Sequence, residues 1–234
     1  MKTLLLIVFM SISIFRVPAR AEAAADAPRR VLIIGDSMMR ITAHALELAL
    51  SRRPEFATRA FTSLGSGLAR LDVFDWLVKA EELRDEFDPD VTVIWFGTND
   101  RQPMMCDGSI IQPDQPGWNE EYARRVGRIM DLLTAREGTR AIWLELPDMQ
   151  EPAMQADVAV INRLVREQVA KRPAVEFLQT RPLLSRVSGK YSPYLIGPNG
   201  MPLPVRDRDG IHLNRAGADL LAEHLTEHLS KVAE

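Results

Sequence analysis

The sequence has one cysteine in 234 residues, Cys106. That excludes an intrachain disulfide and any zinc or iron–sulfur site built from several thiolates. Positive charge is in no surplus either: 29 Lys and Arg stand against 32 Asp and Glu, a net charge of −3 without long runs of one sign. A general binder of nucleic acid or of anionic membrane would show a basic excess, so neither partner is expected. The apolar stretch at Leu4–Phe15 is about a dozen residues, well short of the roughly twenty that a spanning helix needs. With 46% hydrophobic and 26% charged side chains the composition is that of an ordinary globular protein, whose stability has to come from an apolar core.

That short apolar stretch has neighbours that give it a meaning. Lys2 supplies a positive start, and Ala19-Arg20-Ala21 offers small residues at the two positions a signal peptidase reads, with Ala23 as a second cleavage point. Residues 1–21 are therefore expected to be a cleaved secretory signal, 22–30 a short linker and 31–234 one folded domain. Removal of Lys2, Arg16 and Arg20 leaves 26 basic and 32 acidic residues on the remaining 213, a charge of −6. An exported protein without disulfides suits a bacterial periplasm. Cys106 is assigned no catalytic role.

From Val31 onward short apolar runs alternate with helical patterns, as in an α/β domain built on a mainly parallel sheet. Strands are expected at Val31–Gly35, Phe56–Thr62, Val91–Phe96, Ala141–Leu146 and Val175–Leu178. Helices are expected at Met38–Leu50, Val73–Phe87, Glu120–Arg136, Val158–Lys171 and Arg215–Val232. No linker or repeat divides the domain. The segment Arg181–Asp209 holds five prolines and three glycines, too long and turn-rich for a plain connector, and is expected to cover a site.

In an open parallel sheet ligands sit beyond the carboxyl ends of the strands. The first strand ends in Gly35-Asp36-Ser37, the third in Gly97-Thr98-Asn99-Asp100, and Asp209-Gly210-Ile211-His212 precedes the last helix. Serine attacks an ester only if a base takes its proton. His212 can be that base, since histidine is the side chain suited to exchanging protons near neutrality, and Asp209 three residues earlier can orient the ring and stabilise the imidazolium. Ser37 also stands where a helix begins, so its own N–H and the helix dipole favour a developing oxyanion. Asn99 adds an amide donor, and the turn Gly65-Ser66-Gly67 can add a backbone N–H.

Together these residues resemble the GDSL or SGNH hydrolases, whose named residues are a block I serine, a block II glycine, a block III asparagine and a block V histidine. Gly35-Asp36-Ser37-Met38 matches block I with Met38 in place of the usual leucine; Gly97-x-Asn99-Asp100 matches block III, and Asp209-x-x-His212 block V. Gly65 and Gly67 both fit block II, and Gly67 is preferred because Ser66-Gly67-Leu68-Ala69-Arg70 resembles the turn of an exported bacterial branch that carries a domain of unknown function. Phe74-Asp75-Trp76, Asn99-Asp100-Arg101-Gln102 and Trp143-Leu144-Glu145-Leu146-Pro147 share the wording of that branch, so the resemblance spans essentially residues 31–230.

The resemblance implies a three-layer α/β/α, flavodoxin-like fold with a five-stranded parallel sheet. It implies a cofactor-free and metal-free serine esterase acting on small acyl groups, above all O-acetyl groups of an acylated envelope glycan. Ser37, His212 and Asp209 would be catalytic, and Ser37, Gly67 and Asn99 would form the oxyanion hole. With a sugar hydroxyl as acceptor the same site would be an O-acyltransferase working beside a membrane acyltransferase partner. The rival class is a non-catalytic carbohydrate-binding or envelope-assembly protein. Arg101, Gln102, Tyr191 and Arg206 are candidate substrate contacts, with Tyr194 a further ring for sugar stacking. His224 and His228, spaced as i and i+4 on the last helix, are read as a half-exposed face rather than a metal clamp; Trp95, Phe96 and Trp143 are assigned to the core.

Overall fold

The structure, a computed structural model, describes residues 27–187 and 189–231. The expected signal segment lies outside the described residues. In chain order the elements are β1 (Arg29–Gly35), α1 (Ser37–Leu50), β2 (Phe56–Thr62), α2 (Trp76–Phe87), β3 (Val91–Trp95), β4 (Met104–Cys106), β5 (Ser109–Ile111), α3 (Trp118–Leu133), β6 (Arg140–Leu144), α4 (Pro152–Val169), β7 (Val175–Leu178), α5 (Arg181–Leu184), β8 (Tyr194–Ile196), β9 (Pro202–Pro204) and α6 (Arg215–Lys231).

Five of the strands form one parallel sheet in the order β2-β1-β3-β6-β7, the flavodoxin-like arrangement. Helices α1 and α6 pack together on one face, while α2, α3 and α4 form the neighbouring row, so the central strands are covered on both sides. This explains why β1 and β3 read as unbroken apolar runs instead of alternating ones. Val31 to Ile34 are fully buried, as are Val93, Ile94, Trp95 and Phe96. Trp143 is 1% exposed, so the three aromatic residues assigned to the core are in it.

Element boundaries differ from the sequence expectation for local reasons. Helix α2 starts at Trp76, not Val73, because the Asp75 carboxylate accepts from the N–H groups of Leu77 (2.9 Å) and Val78 (3.2 Å) and so fixes the first turn. Helix α4 begins six residues early, at Pro152, where a missing N–H costs nothing. The β4–β5 hairpin was not expected. The long segment after β7 is not a plain excursion: it contains α5 and an antiparallel β8–β9 hairpin.

The strand order reverses direction at β1, with β2 on one side and β3 on the other. The carboxyl ends of β1 and β3 are therefore the crevice of the sheet, and they carry Asp36-Ser37 and Gly97-Thr98-Asn99-Asp100.

Candidate active site

Ser37 is the first residue of α1. Asp36 caps the helix, its Oδ1 accepting from Met38 N–H at 2.8 Å, and its Oδ2 accepts from Gly97 N–H at 3.0 Å across the crevice. One carboxylate thus ties the helix that begins at Ser37 to the end of β3. As a residue of the first turn, Ser37 has no intrahelical acceptor for its own N–H. Burial pushes the Asp36 carboxyl up to about 7 against these two N–H donors, and buried Asp100 nearby adds to the rise.

Opposite Ser37 lies the loop that enters α6. His212 Nε2 is 2.7 Å from Ser37 Oγ, and His212 Nδ1 is 2.6 Å from Asp209 Oδ2. The other oxygen of Asp209 accepts from the N–H groups of Ile211 at 2.8 Å and His212 at 3.0 Å. The carboxylate is thereby fixed relative to the ring. With an acceptor at Nδ1, the neutral imidazole carries its proton there and leaves Nε2 free to receive the serine proton. Partial burial would raise the Asp209 carboxyl, but the bonds from His212 and Ile211 outweigh it and hold the group below its ordinary value.

The loop itself is short and pinned. Arg206 bridges Leu213 in antiparallel fashion, Asp207 N–H donates to His212 O at 2.8 Å, and Gln150 N–H donates to Gly210 O at 3.2 Å. Beneath it the Arg206 side chain, within a residue only 6% exposed, donates Nη2 to Ile211 O at 2.8 Å and to Asp148 O at 3.0 Å. Asn214 closes the loop by capping α6 through Gly217 N–H at 3.0 Å.

The third side of the site is the turn between β2 and α2. Asn99 Nδ2 donates to Ser66 O at 3.0 Å and lies 3.5 Å from Asp36 Oδ2, so one amide hydrogen is bound and the second only weakly engaged. Ser66 Oγ donates to Ser63 O at 2.6 Å and accepts from Trp76 Nε1 at 2.9 Å. Next to it Gly67 is buried against Asp100: a Cβ on Gly67 would stand 2.0 Å from Asp100 Oδ1. Gly65 differs in both respects, with φ +66° and open space around its would-be Cβ. Of the two block II candidates, Gly67 is the one packed against the asparagine's neighbour.

Asp100, Tyr122 and Arg125 hold this turn from behind; sequence reasoning placed Asp100 in the block III motif without a role and assigned the other two nothing. Asp100 is fully buried; it accepts from Ala69 N–H at 2.9 Å and from Tyr122 Oη at 2.7 Å. Burial drives its carboxyl upward against those donors, and burial next to the Asp100 carboxylate drives the Tyr122 hydroxyl well above its ordinary value. Arg125 donates Nη1 to Leu68 O at 2.9 Å and Ala69 O at 2.8 Å, with its charge balanced by Glu121 at 2.7 Å. The signal available was an i, i+4 Glu-Arg pair on α3, which on a helix ordinarily marks a solvated face.

Three of the four candidate substrate contacts are engaged elsewhere. Arg101 pairs with Asp157 at 3.4 Å, donates to Pro113 O at 2.9 Å and lies over the Trp118 ring at 4.6 Å. Gln102 donates to Asn99 O and braces the asparagine loop. Arg206 supports the base loop as described. These contacts tie each side chain to protein carbonyls or carboxylates and so brace the loops around the site, while Arg206 Nε, buried, has no hydrogen-bond partner among the described residues. Tyr191 remains half-exposed, with the Arg206 guanidinium 5.1 Å from its ring centre. On α6, His228 pairs with Glu176 of β7 at 2.9 Å, which gives that face a role in packing the helix on the sheet.

Residues 30–228 match the model of a family described as Protein of unknown function (DUF459). Among curated proteins no significant match is found. Several solved structures share the architecture. A carbohydrate esterase family 3 protein from Talaromyces cellulolyticus superimposes with a TM-score of 0.55 at 12% identity, covering 87% of this chain and 97% of that one. A protein from Slackia heliotrinireducens described as an SGNH hydrolase gives 0.54 at 15% identity, covering 86% and 98%. The catalytic domain of peptidoglycan O-acetyltransferase A from Streptococcus pneumoniae gives 0.51 at 16% identity, covering 88% and 95%. Likeness at such identities carries the fold, while the match over most of its length carries the family: the chain belongs to the DUF459 family and has the SGNH hydrolase fold.

Proposed function

We propose that the protein is an exported serine esterase that removes small acyl groups, O-acetyl above all, from envelope carbohydrate. The observation that carries the reading is the continuous pair of contacts Ser37 Oγ to His212 Nε2 at 2.7 Å and His212 Nδ1 to Asp209 Oδ2 at 2.6 Å, at the crevice of the sheet. A purely structural or binding role leaves that alignment without a purpose.

In this mechanism Ser37 Oγ attacks the ester carbonyl carbon as its proton passes to His212 Nε2. The imidazolium is stabilised by Asp209, whose carboxylate stays ionised. The carbonyl oxygen, now an oxyanion, is received by Ser37 N–H, Gly67 N–H and the loosely held hydrogen of Asn99. Collapse breaks the C–O bond to the sugar, and His212 gives the proton to the departing sugar oxygen, which leaves as a hydroxyl. Water repeats the sequence on the acyl-enzyme, releasing the free acid and regenerating Ser37.

Turnover of p-nitrophenyl acetate by the wild type, Ser37→Ala and His212→Ala tests the assignment. Loss of turnover in both variants is expected; equal rates in all three would refute it. Attack on the acyl-enzyme by a sugar hydroxyl in place of water gives the second reading, an O-acyltransferase supplied by a membrane acyltransferase partner, and the likeness to an O-acetyltransferase catalytic domain favours keeping it. Mass spectrometry of an oligosaccharide incubated with an acetyl donor separates the two, since transfer adds the mass of acetyl to the glycan and hydrolysis yields acetate alone. The leader-like residues 1–21 support a periplasmic location, which N-terminal sequencing of the mature protein from a periplasmic fraction tests: a start at residue 22 or 24 is expected, and an intact Met1 would exclude cleavage.

A further inference from the structure

The segment between α5 and β9 forms a cavity of about 400 Å³ lined by Arg186, Val187, Lys190, Tyr191, Ser192, Pro193 and Tyr194. Among the described residues its walls carry two cations and no acid, on a chain whose residues 22–234 have a net charge of −6. Asp148 and Asp209, the carboxylates that act on Arg206 beside this cavity, are themselves paired with Arg181 and His212. The Arg186 guanidinium instead stands 5.6 Å from the Tyr194 ring centre.

Two tethers join this cavity to the base loop. Val205 N–H donates to Pro193 O at 3.0 Å, and Val205 leads directly into Arg206, which supports the loop bearing Asp209 and His212. Tyr191 lies under Arg206 and close enough to Asp209 to feel its charge. The platform is set from within, with Ser192 Oγ accepting from Arg186 N–H at 3.0 Å. A cavity of this volume is at the small end of the range for ligand sites and accommodates a sugar unit or two. Tyrosine faces stack on pyranose rings, and a guanidinium fork beside an ammonium matches a carboxylate.

We propose that this cavity is a subsite for a carboxylate-bearing sugar, so that the polymer acted on is an acidic glycan of the uronic acid class. The proposal rests on the esterase reading only for the chemistry at Ser37; the subsite binds whether or not the ester is cleaved. Glycan neighbours of the acylated residue would be held at Arg186 and Lys190 while the ester lies at Ser37.

The test uses the full mature chain and oligogalacturonate without esters as the probe, followed by titration calorimetry at low and at high salt. Oligogalacturonate is expected to bind and neutral dextran oligomers not to. Replacing both cations, Arg186→Ala with Lys190→Ala, is expected to weaken binding about tenfold or more, as is added salt. Tyr194→Ala is expected to weaken it at both salt concentrations, and Arg128→Ala, on the far part of α3, to leave it as it was. Thermal melts of each variant identify any loss of fold. Equal binding of dextran, affinity unchanged in the double variant, or a preference for poly(glycerol phosphate) would overturn the proposal. Wild-type turnover of p-nitrophenyl acetate, which carries no sugar, is measured in parallel. Its absence with uronate binding intact removes the esterase reading alone, and its presence without uronate binding removes the subsite alone.

Discussion

Substituting Gly67 by alanine, read against Gly65→Ala, tests the oxyanion assignment at a matched loss of stability. The added Cβ would stand 2.0 Å from Asp100 Oδ1 and 2.7 Å from its Cγ. Asp100 has no room to retreat, being fully buried and held by Ala69 N–H at 2.9 Å and Tyr122 Oη at 2.7 Å. A tolerable contact is about 3.2 Å or more, so the turn has to move by roughly 1 Å, which is overpacking of a closed site at about 1–3 kcal/mol. A displacement of that size at an oxyanion donor lowers kcat by about 100- to 1000-fold, through misplacement or outright loss of the N–H. Gly65→Ala is the matched control. Its Cβ meets nothing within 4 Å, but φ +66° makes alanine strained there at about 1–2 kcal/mol. Steady-state kinetics on p-nitrophenyl acetate, with a thermal melt of each protein, should give two destabilised proteins of which only Gly67→Ala is catalytically crippled. A folded Gly67→Ala with kcat within threefold of wild type, or a crippled Gly65→Ala, refutes the assignment of Gly67 as an oxyanion donor.

Tyr122→Phe leaves the shape of α3 intact but takes one donor from the buried Asp100 carboxylate; a stability loss of about 1.5–3 kcal/mol and a kcat reduced by about tenfold at unchanged KM are expected, and a raised KM with normal kcat would count against a positioning role. Arg206→Met keeps the stem and removes the donors to Ile211 O and Asp148 O, so kcat should fall with KM little altered, whereas a substrate-binding arginine would show the change in KM. The carboxyl of Asp36, pushed up by burial to about 7, binds a proton in the native state that the unfolded chain has released over the interval from 3.8 to about 7. Its contribution to stability is therefore complete below that interval and lost as pH rises through about 7. Melting temperature should fall between pH 5 and pH 8 in the wild type and less in Asp36→Asn; Asp209, with its carboxyl held low, acts in the opposite sense and only below the ordinary carboxyl value of 3.8, outside that window.

The parallel sheet was legible in the sequence because its central strands are buried on both faces, which turns Val31–Ile34 and Val91–Trp95 into apolar runs too short to be helices. Helix ends were less legible, since Asp75 as a cap and Pro152 as a first residue are single-residue signals that compete with apolar periodicity. The short hairpins β4–β5 and β8–β9 were missed for another reason. Each strand is three residues long and, Met104 of β4 apart, at the surface, so neither alternation nor a buried run marks it.

Within the site the same division follows the distance over which each interaction is made. The Asp209–His212 contact closes within three residues, and Asp36 caps its own helix, so both leave a local pattern. Arg125 reaches Leu68 from 57 residues away, and Arg206 reaches Asp148 from 58, so no local pattern records either. Arg101 and Arg206, read as candidate substrate contacts, stand in sequence beside Asn99 and the Asp209–His212 pair and in the structure donate to protein carbonyls; sequence adjacency cannot distinguish a group that faces a ligand from one that faces a carbonyl behind it. The distinction has mechanical content. Ser37 and Asn99 are carried by the ends of buried strands, whereas Asp209 is 43% exposed in its side chain and His212 29%, on a loop whose geometry depends on Arg206 and Gln150. The 2.7 Å between Ser37 and His212 is thus set by a rigid wall on one side and a braced loop on the other. Weakening the brace should disorder the base before it disturbs the nucleophile.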